Sequence, residues 1–227
     1  LAVGDDGADT PVVRWHDKSG KGYEKYQSLV NLHYPKSRTL QDLVYHTQLN
    51  QRDAMRFGIE HYRRSEFCKG TIIWQLNDCW PVQSWALLDS VGQMKAAGHE
   101  LKRIYMDRLL SVVVGWADAA EDPGGSEGWA NRKGAGRKVP SGTAEVWLAN
   151  DDAATWEADI VVHAVSLTSG KTLAEFGPFQ CKLVPEQRAM VASLDVSKLD
   201  KNTILFAYAS GVEPTWSLLA EPKDTQF

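Results

Sequence analysis

A tryptophan-rich segment, residues 74–85, holds the side chains of this chain whose types and spacing best suit chemistry. It reads Trp-Gln-Leu-Asn-Asp-Cys-Trp-Pro-Val-Gln-Ser-Trp, so three indoles lie close in sequence to an amide, Asn77, and a carboxylate, Asp78. Indole rings stack on the C–H face of a sugar, while fixed polar groups hydrogen-bond its hydroxyls. The segment therefore predicts a carbohydrate-binding site.

The elements that must position this segment are helical on both sides of it. Apolar residues recur at helical spacing over residues 23–34, and a second helix is expected over 40–64, with Thr39 and Asp42 in the order of a capping box. A buried strand over 70–74, a turn at 89–92 and a helix over about 93–105 follow. This order is typical of the closing helix–strand–helix portion of a (β/α)8 barrel, which would need further strands because one strand cannot form a parallel sheet.

The second half of the chain has a different period, because apolar residues alternate every two positions after residue 105. Seven short strands separated by turn residues are typical of an immunoglobulin-like antiparallel β-sandwich. They are expected over residues 109–116, 143–149, 157–167, 172–175, 189–194, 204–210 and 215–219. The sequence thus predicts two domains, 1–105 and 106–227. Residues 118–142, rich in Gly, Lys and Arg, are expected to be a solvated loop or a basic patch that meets an acidic partner.

Composition narrows the classes of protein that this chain can belong to. Its 227 residues, 43% apolar and 24% charged, are typical of a globular protein, and the net charge of −4 argues against a nucleic-acid partner. No apolar run is long enough to span a membrane. A bridge between Cys68 and Cys79 is one possibility for the cysteines. No spacing of Cys or His suggests a metal, no cofactor is expected, and the lack of a glycosylation sequon slightly favours an intracellular setting.

The run at residues 68–86 carries a resemblance to a known family. It reads Cys-Lys-Gly-Thr-Ile-Ile-Trp-Gln-Leu-Asn-Asp-Cys-Trp-Pro-Val-Gln-Ser-Trp-Ala and resembles the last barrel strand and following loop of family 2 glycoside hydrolases of the β-mannosidase type. Residues 48–64, 95–103 and 221–224 are similar to the same family. The resemblance implies the C-terminal part of a retaining exo-β-mannosidase, with a β-mannoside or manno-oligosaccharide as substrate and the N-terminal part of the enzyme as partner.

The resemblance also implies where the catalytic groups of such an enzyme lie. Retaining glycosidases use two carboxyl groups about 5–5.5 Å apart, and in this family both are glutamates on earlier barrel strands. Glu24, Glu60 and Glu66 fall within or at the end of helical patterns and are expected to be solvated. No residue of this chain is therefore assigned as catalytic, and the chain by itself is expected to be inactive.

What this chain would supply, by the same resemblance, is one wall of the sugar pocket. Trp74 is implied as the platform under the mannose in the −1 subsite. Asn77 and Asp78 either hold sugar hydroxyls or brace the loop, and Trp80 either lines the pocket or packs under the loop. Trp85 is expected in a core.

Near the start of the chain lies a second group of candidates. Trp15, His16 and Lys18 stand in a polar loop, and the resemblance allows them to reach over the pocket towards the leaving group. The tryptophans of the second half are expected to fill cores: Trp116, Trp147, Trp156 and Trp216.

Two alternative interpretations are open. The chain could be a non-catalytic carbohydrate-binding module whose working unit is the sandwich, or a free-standing protein whose barrel-like half packs on a partner. An exposed apolar face on residues 1–105 would argue against the module. For the sandwich, a structural brace for the barrel is favoured over an independent sugar binder.

Overall fold

The computed structural model describes residues 7–18, 20, 22–118 and 138–226. The chain divides into two compact units: Leu1–Ile59 with Gly70–Ile104, and Glu60–Lys69 with Tyr105–Phe227. Helices occupy the first unit and antiparallel sheets the second. Most of the basic stretch, residues 119–137, lies outside the described residues, so neither hypothesis is tested there. Residues 138–142, which were predicted to belong to the loop, form part of a strand, so the loop prediction is wrong for them.

Four α-helices precede the sheets. Their bounds are Pro11–Trp15 (α1), Gly22–His33 (α2), Leu40–Arg64 (α3) and Ala96–Ile104 (α4). The three predicted helices are confirmed, whereas α1 lies in a segment predicted to be a loop. Side chains from residue 8, α1, α2 and α3 share a small core: Ala8, Val13, Tyr23 and Leu43.

The N-terminus of α3 has the predicted capping box. The Asp42 N–H donates to Thr39 Oγ1 at 3.1 Å, and the Thr39 N–H donates to Asp42 Oδ2 at 3.1 Å. The Arg38 N–H also donates to Asp42 Oδ2, at 3.0 Å. These backbone donors, that of Arg38 first, hold the pKa of the Asp42 carboxyl below its ordinary value.

The strand predicted over residues 70–74 is not formed, and this prediction is wrong. These residues have no regular secondary structure, and Ile72 is 98% exposed. A strand is stable only when neighbouring strands pair with its backbone and its side chains pack. In the described part of the first unit, the only β-pairings are three isolated bridges: Gly7–Thr39, Asn77–Leu88 and Leu88–Met94.

Seven antiparallel strands form the second unit. Their bounds are Arg108–Asp118 (β1), Lys138–Asn150 (β2), Trp156–Ser166 (β3), Thr172–Leu183 (β4), Gln187–Asp195 (β5), Thr203–Ala209 (β6) and Thr215–Leu218 (β7). They make a three-stranded sheet, β1-β2-β5, and a four-stranded sheet, β4-β3-β6-β7. Each predicted strand is confirmed, although β4 continues well beyond the predicted end at residue 175.

Both sheets contribute to one core, as the period-two pattern predicts. Leu110 of β1 and Leu148 of β2 meet Ile160 of β3 and Leu205 of β6 there. Of the four tryptophans expected in cores, Trp156 alone is fully buried, and its Nε1–H donates to the Ser210 carbonyl at 2.8 Å. Trp116 is exposed, and the other two are half-buried, so the core expectation is wrong for Trp116.

A glycine allows β4 to continue past an irregular register. Between the pairs Ile160–Phe179 and Val162–Phe176, the β4 strand has one extra residue opposite β3. Gly177 lies there with φ +107°, and a Cβ on it would stand 2.7 Å from the Ile160 carbonyl oxygen. Only glycine fits this combination of backbone conformation and close approach.

The second unit also contains a charged clasp, which we define as Arg63, Asp151 and Arg188. Asp151 accepts from Arg63 Nη2 at 2.7 Å and from Arg188 Nη2 at 2.5 Å. Arg63 Nη1 donates to the Met106 carbonyl at 2.6 Å, and Arg188 Nε to the Arg63 carbonyl at 3.1 Å. The clasp therefore fixes the last turn of α3 to β5 and to the loop after β2.

Candidate carbohydrate-binding site

The tryptophan-rich loop, residues 74–85, closes on a short ladder of backbone hydrogen bonds. The Leu88 N–H donates to the Leu76 carbonyl at 2.8 Å, and the Asp78 N–H donates to the Leu88 carbonyl at 3.2 Å. From α3, Gln51 Nε2 donates to the Trp85 carbonyl at 2.6 Å. Since the start and the end of the loop are both tied, it is held in one conformation without a regular strand beneath it.

Trp74 and Asn77 both lie on the outside of this loop. The Trp74 side chain is 74% exposed, and the peptide bond that follows it is cis. Asn77 is exposed, and its amide Nδ2 donates to the Asp78 carbonyl at 3.3 Å. Both side chains are thus accessible to a ligand.

Asp78 lies inside the loop. Its side chain is 2% exposed; Oδ2 lies 3.1 Å from Lys95 Nζ, and Oδ1 accepts from Ser84 Oγ at 2.6 Å. Ser84 Oγ in turn accepts from the Ala86 N–H at 3.0 Å. Of the two roles that the sequence leaves open for Asp78, this geometry supports the brace.

A cluster of aromatic rings joins the start of the chain to Trp80. The His16 ring stacks on the Trp80 ring, with centroids 5.6 Å apart and planes at 17°, and Trp15 meets the same indole edge-on at 5.5 Å. Lys18 Nζ lies 3.7 Å from the Trp15 ring centroid and 5.5 Å from that of Trp80. The structure thus brings together His16, Lys18 and Trp80.

Hydrogen bonds fix this cluster through Gln83. The Gln83 N–H donates to the His16 carbonyl at 3.0 Å, and its Nε2 donates to the Val13 carbonyl at 2.6 Å. The Tyr26 hydroxyl donates to Gln83 Oε1, and burial raises the pKa of that hydroxyl. Roles for Gln83, Ser84 and Lys95 could not be predicted from the sequence, because polar residues of these types carry no signal of their contacts.

The exposure of Trp85 and the burial of Glu60 correct two expectations about single residues. Trp85 is exposed and not in a core. Glu60, expected to be solvated, is buried, whereas Glu24 and Glu66 are exposed. Trp74 makes no ring contact with the aromatic cluster in the described part of the chain. No disulfide joins Cys68 to Cys79 among the described residues.

The described residues contain neither a cluster suited to a metal ion nor a helix suited to a membrane. None of the His, Cys, Asp and Glu side chains in this part of the chain gather in groups of three that could hold a metal ion. Within the same residues, no helix has the length and apolarity needed to cross a membrane.

Comparison with known proteins places the chain beside glycoside hydrolases. No family model matches. The fold is similar to that of a β-D-mannosidase from Dictyoglomus thermophilum, with a TM-score of 0.74 and 20% identity over 94% of this chain and 24% of that one. It is also similar to the exo-chitosanase CsxA of Amycolatopsis orientalis, with a TM-score of 0.67 and 16% identity over 90% and 23% of the two chains.

The sequence is similar to fungal β-mannosidases. It is 35% identical to β-mannosidase B of Aspergillus flavus over 109 residues, which is 46% of this chain and 12% of that protein. It is 38% identical to β-mannosidase B of Emericella nidulans over 82 residues, 33% and 10% of the two proteins. The predicted resemblance to part of a β-mannosidase is confirmed, and the match covers only 10–12% of the length of these relatives.

Proposed function

We propose that this chain is part of a retaining exo-β-mannosidase, which hydrolyses terminal non-reducing β-D-mannose residues. The observation that carries the proposal is the largely exposed Trp74 indole on a loop that hydrogen bonds hold at both ends. The 35% identity with β-mannosidase B over 109 residues supports it. We propose further that residues 1–105 close a (β/α)8 barrel and that residues 106–227 form an immunoglobulin-like sandwich that braces it.

In this proposal the chain binds sugar and does not break bonds. Retaining hydrolysis needs one carboxyl group to protonate the leaving oxygen and a second, about 5–5.5 Å away, to form a glycosyl-enzyme. We place both groups in the part of the enzyme outside these 227 residues. The surroundings of Glu24 support this, because its carboxylate is exposed and accepts from Arg14 Nη1 at 2.6 Å.

Each candidate residue of the loop would have one role in sugar binding. Trp74 stacks under the mannose of the −1 subsite, and the exposed Asn77 amide hydrogen-bonds a sugar hydroxyl. Asp78 acts from inside the loop as a brace. Trp80 lines the pocket on the side of the leaving group.

His16 and Lys18 complete the site on that side. His16 stacks on Trp80 and keeps that indole in place. Lys18 presents an exposed ammonium group above two indoles, where its N–H donors can reach hydroxyls of a leaving-group sugar. The cluster of aromatic rings, together with Lys18, thus supplies the contacts to the sugar on the leaving-group side of the scissile bond.

The alternative, a carbohydrate-binding sandwich module, has less support. The most exposed indoles, those of Trp15, Trp74 and Trp85, lie in the first unit, whereas Trp156 in the sandwich is buried. The first unit also exposes large apolar side chains that have no use in a sandwich module: Tyr45, Phe57, Ile72 and Leu76. An apolar surface of this kind supports the proposal that the N-terminal part of the same enzyme covers the unit.

The test compares the 227-residue chain with the complete enzyme that contains it. The complete enzyme is expected to hydrolyse 4-nitrophenyl β-D-mannoside, to release β-mannose first when followed by NMR, and to leave the α-mannoside intact. The chain alone is expected to hydrolyse nothing. Mass spectrometry under denaturing conditions must first show a single species, because a second polypeptide would indicate an assembled enzyme cut in two.

Turnover by the pure chain would contradict the proposed division of roles. A complete enzyme that is inactive on every β-mannoside would contradict the proposed function itself. Release of α-mannose as the first product would refute the retaining mechanism alone.

A further inference from the structure

We infer that Lys95 is a positioning residue of this site: its ammonium group holds the buried Asp78 carboxylate and thereby fixes the tryptophan-rich loop. The inference rests on the proposed function, because it gives Lys95 a role in sugar binding.

The side-chain contact is a buried ion pair. Lys95 Nζ lies 3.1 Å from Asp78 Oδ2, with the two side chains 13% and 2% exposed. Ser84 Oγ donates to the other carboxylate oxygen at 2.6 Å. A buried carboxylate persists only when it is paired and hydrogen-bonded. Removal of the ammonium group would therefore leave an unpaired buried carboxylate, which must move towards water or take up a proton, and either change alters how the loop is held.

The main chain couples Lys95 to the same place. The Lys95 N–H donates to the Leu87 carbonyl at 2.8 Å, and the Asp78 N–H donates to the Leu88 carbonyl at 3.2 Å. The two residues are thus attached to adjacent positions of the segment that returns from the loop. The ion pair adds a side-chain link between the same two residues.

The sequence positions explain why these links matter for a sugar. Asp78 lies four residues after Trp74 and two residues before Trp80. Movement of Asp78 therefore displaces both indoles, and a displacement of about 1 Å at a binding group can cost about 100-fold in rate. One buried ion pair, Asp78 with Lys95, would thus determine where the stacking surface lies.

The experiment uses the complete enzyme with 4-nitrophenyl β-D-mannoside as substrate. Lys95→Met is expected to lower kcat/KM by about 100-fold per folded molecule. The double variant Lys95→Met/Asp78→Asn is expected to recover most of this loss, because it leaves no unpaired buried charge. Lys102→Met, on the exposed side of α4, is the matched control and is expected to leave kcat/KM unchanged.

Circular dichroism gives the folded fraction to which each rate is referred. A role in stability alone would lower that fraction and leave kcat/KM per folded molecule unchanged, and this result would overturn the inference. A double variant no better than Lys95→Met would overturn it too. If Lys95→Met does not fold, Ser84→Ala decides: a folded variant with several-fold lower kcat/KM supports the inference, and an unchanged value overturns it.

Failure of the proposed function is distinguishable from failure of this inference. An inactive wild-type enzyme would refute both. An active wild-type enzyme whose folded Lys95→Met variant keeps its kcat/KM would refute the positioning role alone.

Discussion

Residues of the tryptophan-rich loop divide by exposure into side chains that are accessible from solvent and side chains that hold the loop. Trp74 and Asn77 face outwards, whereas the Asp78 carboxylate inside the loop bonds to both Ser84 and Lys95. In the proposed site, buried residues would therefore hold the ligand-facing side chains in place without contact to the ligand.

Replacement of Trp74 tests the stacking surface. In the complete enzyme, Trp74→Ala is expected to lower kcat/KM by about 100-fold, equivalent to about 2.7 kcal/mol, since it removes most of an indole from the pocket. Steady-state kinetics on 4-nitrophenyl β-D-mannoside measure this. Trp116→Ala, at another exposed indole in β1, is the control and should leave kcat/KM as it is. Equal values for wild type and Trp74→Ala would assign Trp74 to packing.

Lys18 is tested by changing the leaving group. Lys18→Met is expected to lower kcat/KM for β-1,4-mannobiose about 10-fold, because a charged hydrogen bond to a sugar hydroxyl is lost. The value for 4-nitrophenyl β-D-mannoside should change much less, since this leaving group lacks the hydroxyls. Lys25→Met, on the exposed side of α2, serves as the control. An equal fall for both substrates would show that Lys18 does not read the leaving group.

The candidate residues were predictable from the sequence only where residue type reveals the role. Indoles beside Asn77 point to sugar binding, and Trp74 is exposed as a stacking platform must be. The same types did not reveal that Trp85 is exposed or that Asp78 is buried, because neighbours distant in sequence determine burial. Lys95 lies 17 residues from Asp78 and has no motif that announces the pair.

At the level of elements, features that depend on residues close in sequence are predicted correctly, whereas one strand, which depends on neighbouring strands, is not. The capping box of α3 needs only Thr39 and Asp42 and is formed as predicted. The strand over residues 70–74 needs neighbours and is absent. The extension of β4 beyond residue 175 has no clear signal in the sequence, because a Gly-Pro pair is typical of turns, whereas Gly177 and Pro178 lie at an irregular register opposite β3.

The capping box predicts a pH-dependent contribution to stability. The pKa of Asp42 is lowered in the folded chain, so its carboxylate stabilises the fold fully above the ordinary value of 3.8 and progressively less as pH falls through the lowered value. Asp42→Asn is therefore expected to lower Tm at pH 7, with a difference from wild type that shrinks in acid. Thermal unfolding across pH measures it, with Glu66→Gln as the control; a constant difference would contradict it.

Gly177 should be the glycine of the sheets least tolerant of a side chain. Gly177→Ala is expected to lower the free energy of unfolding by about 2 kcal/mol or more, since the Cβ meets a carbonyl oxygen and φ is positive. Gly170→Ala also has positive φ, at +68°, but its Cβ meets nothing within 4 Å, so about 1 kcal/mol is expected. Urea unfolding compares them, and equal losses would show that the close approach is tolerated.

On the scale of the whole molecule, the end of α3 folds with the sheets. Residues Glu60–Lys69 belong to the same compact unit as the strands, and the charged clasp supplies the contacts. The sequence predicted two domains with one boundary near residue 105. The periodicity of apolar residues identifies helices and strands, but it does not show which of them pack together. The spacing of apolar residues along a helix does not show that the helix is divided between two compact units.

Among the ion pairs of the second unit, the charged clasp should contribute most to the free energy of unfolding. Asp151→Ala leaves the Arg63 and Arg188 side chains, 12% and 8% exposed, without their shared carboxylate. We expect the free energy of unfolding of this unit to fall by about 2 kcal/mol. Glu157→Ala breaks an exposed ion pair with Lys182 and should leave the unfolding midpoint nearly unchanged. A smaller effect at Asp151 than at Glu157 would contradict this.

The exposed run at residues 71–76 has a consequence for handling the protein. It reads Thr-Ile-Ile-Trp-Gln-Leu, without charge or proline, and its alternate members Ile72, Trp74 and Leu76 all face solvent. Uncharged six-residue windows with high β-propensity are the ones that stack into cross-β aggregates when nothing covers them. Trp74, the proposed stacking platform, thus belongs to a run with the features of such windows, and we expect the protein to aggregate more readily when this run is left uncovered.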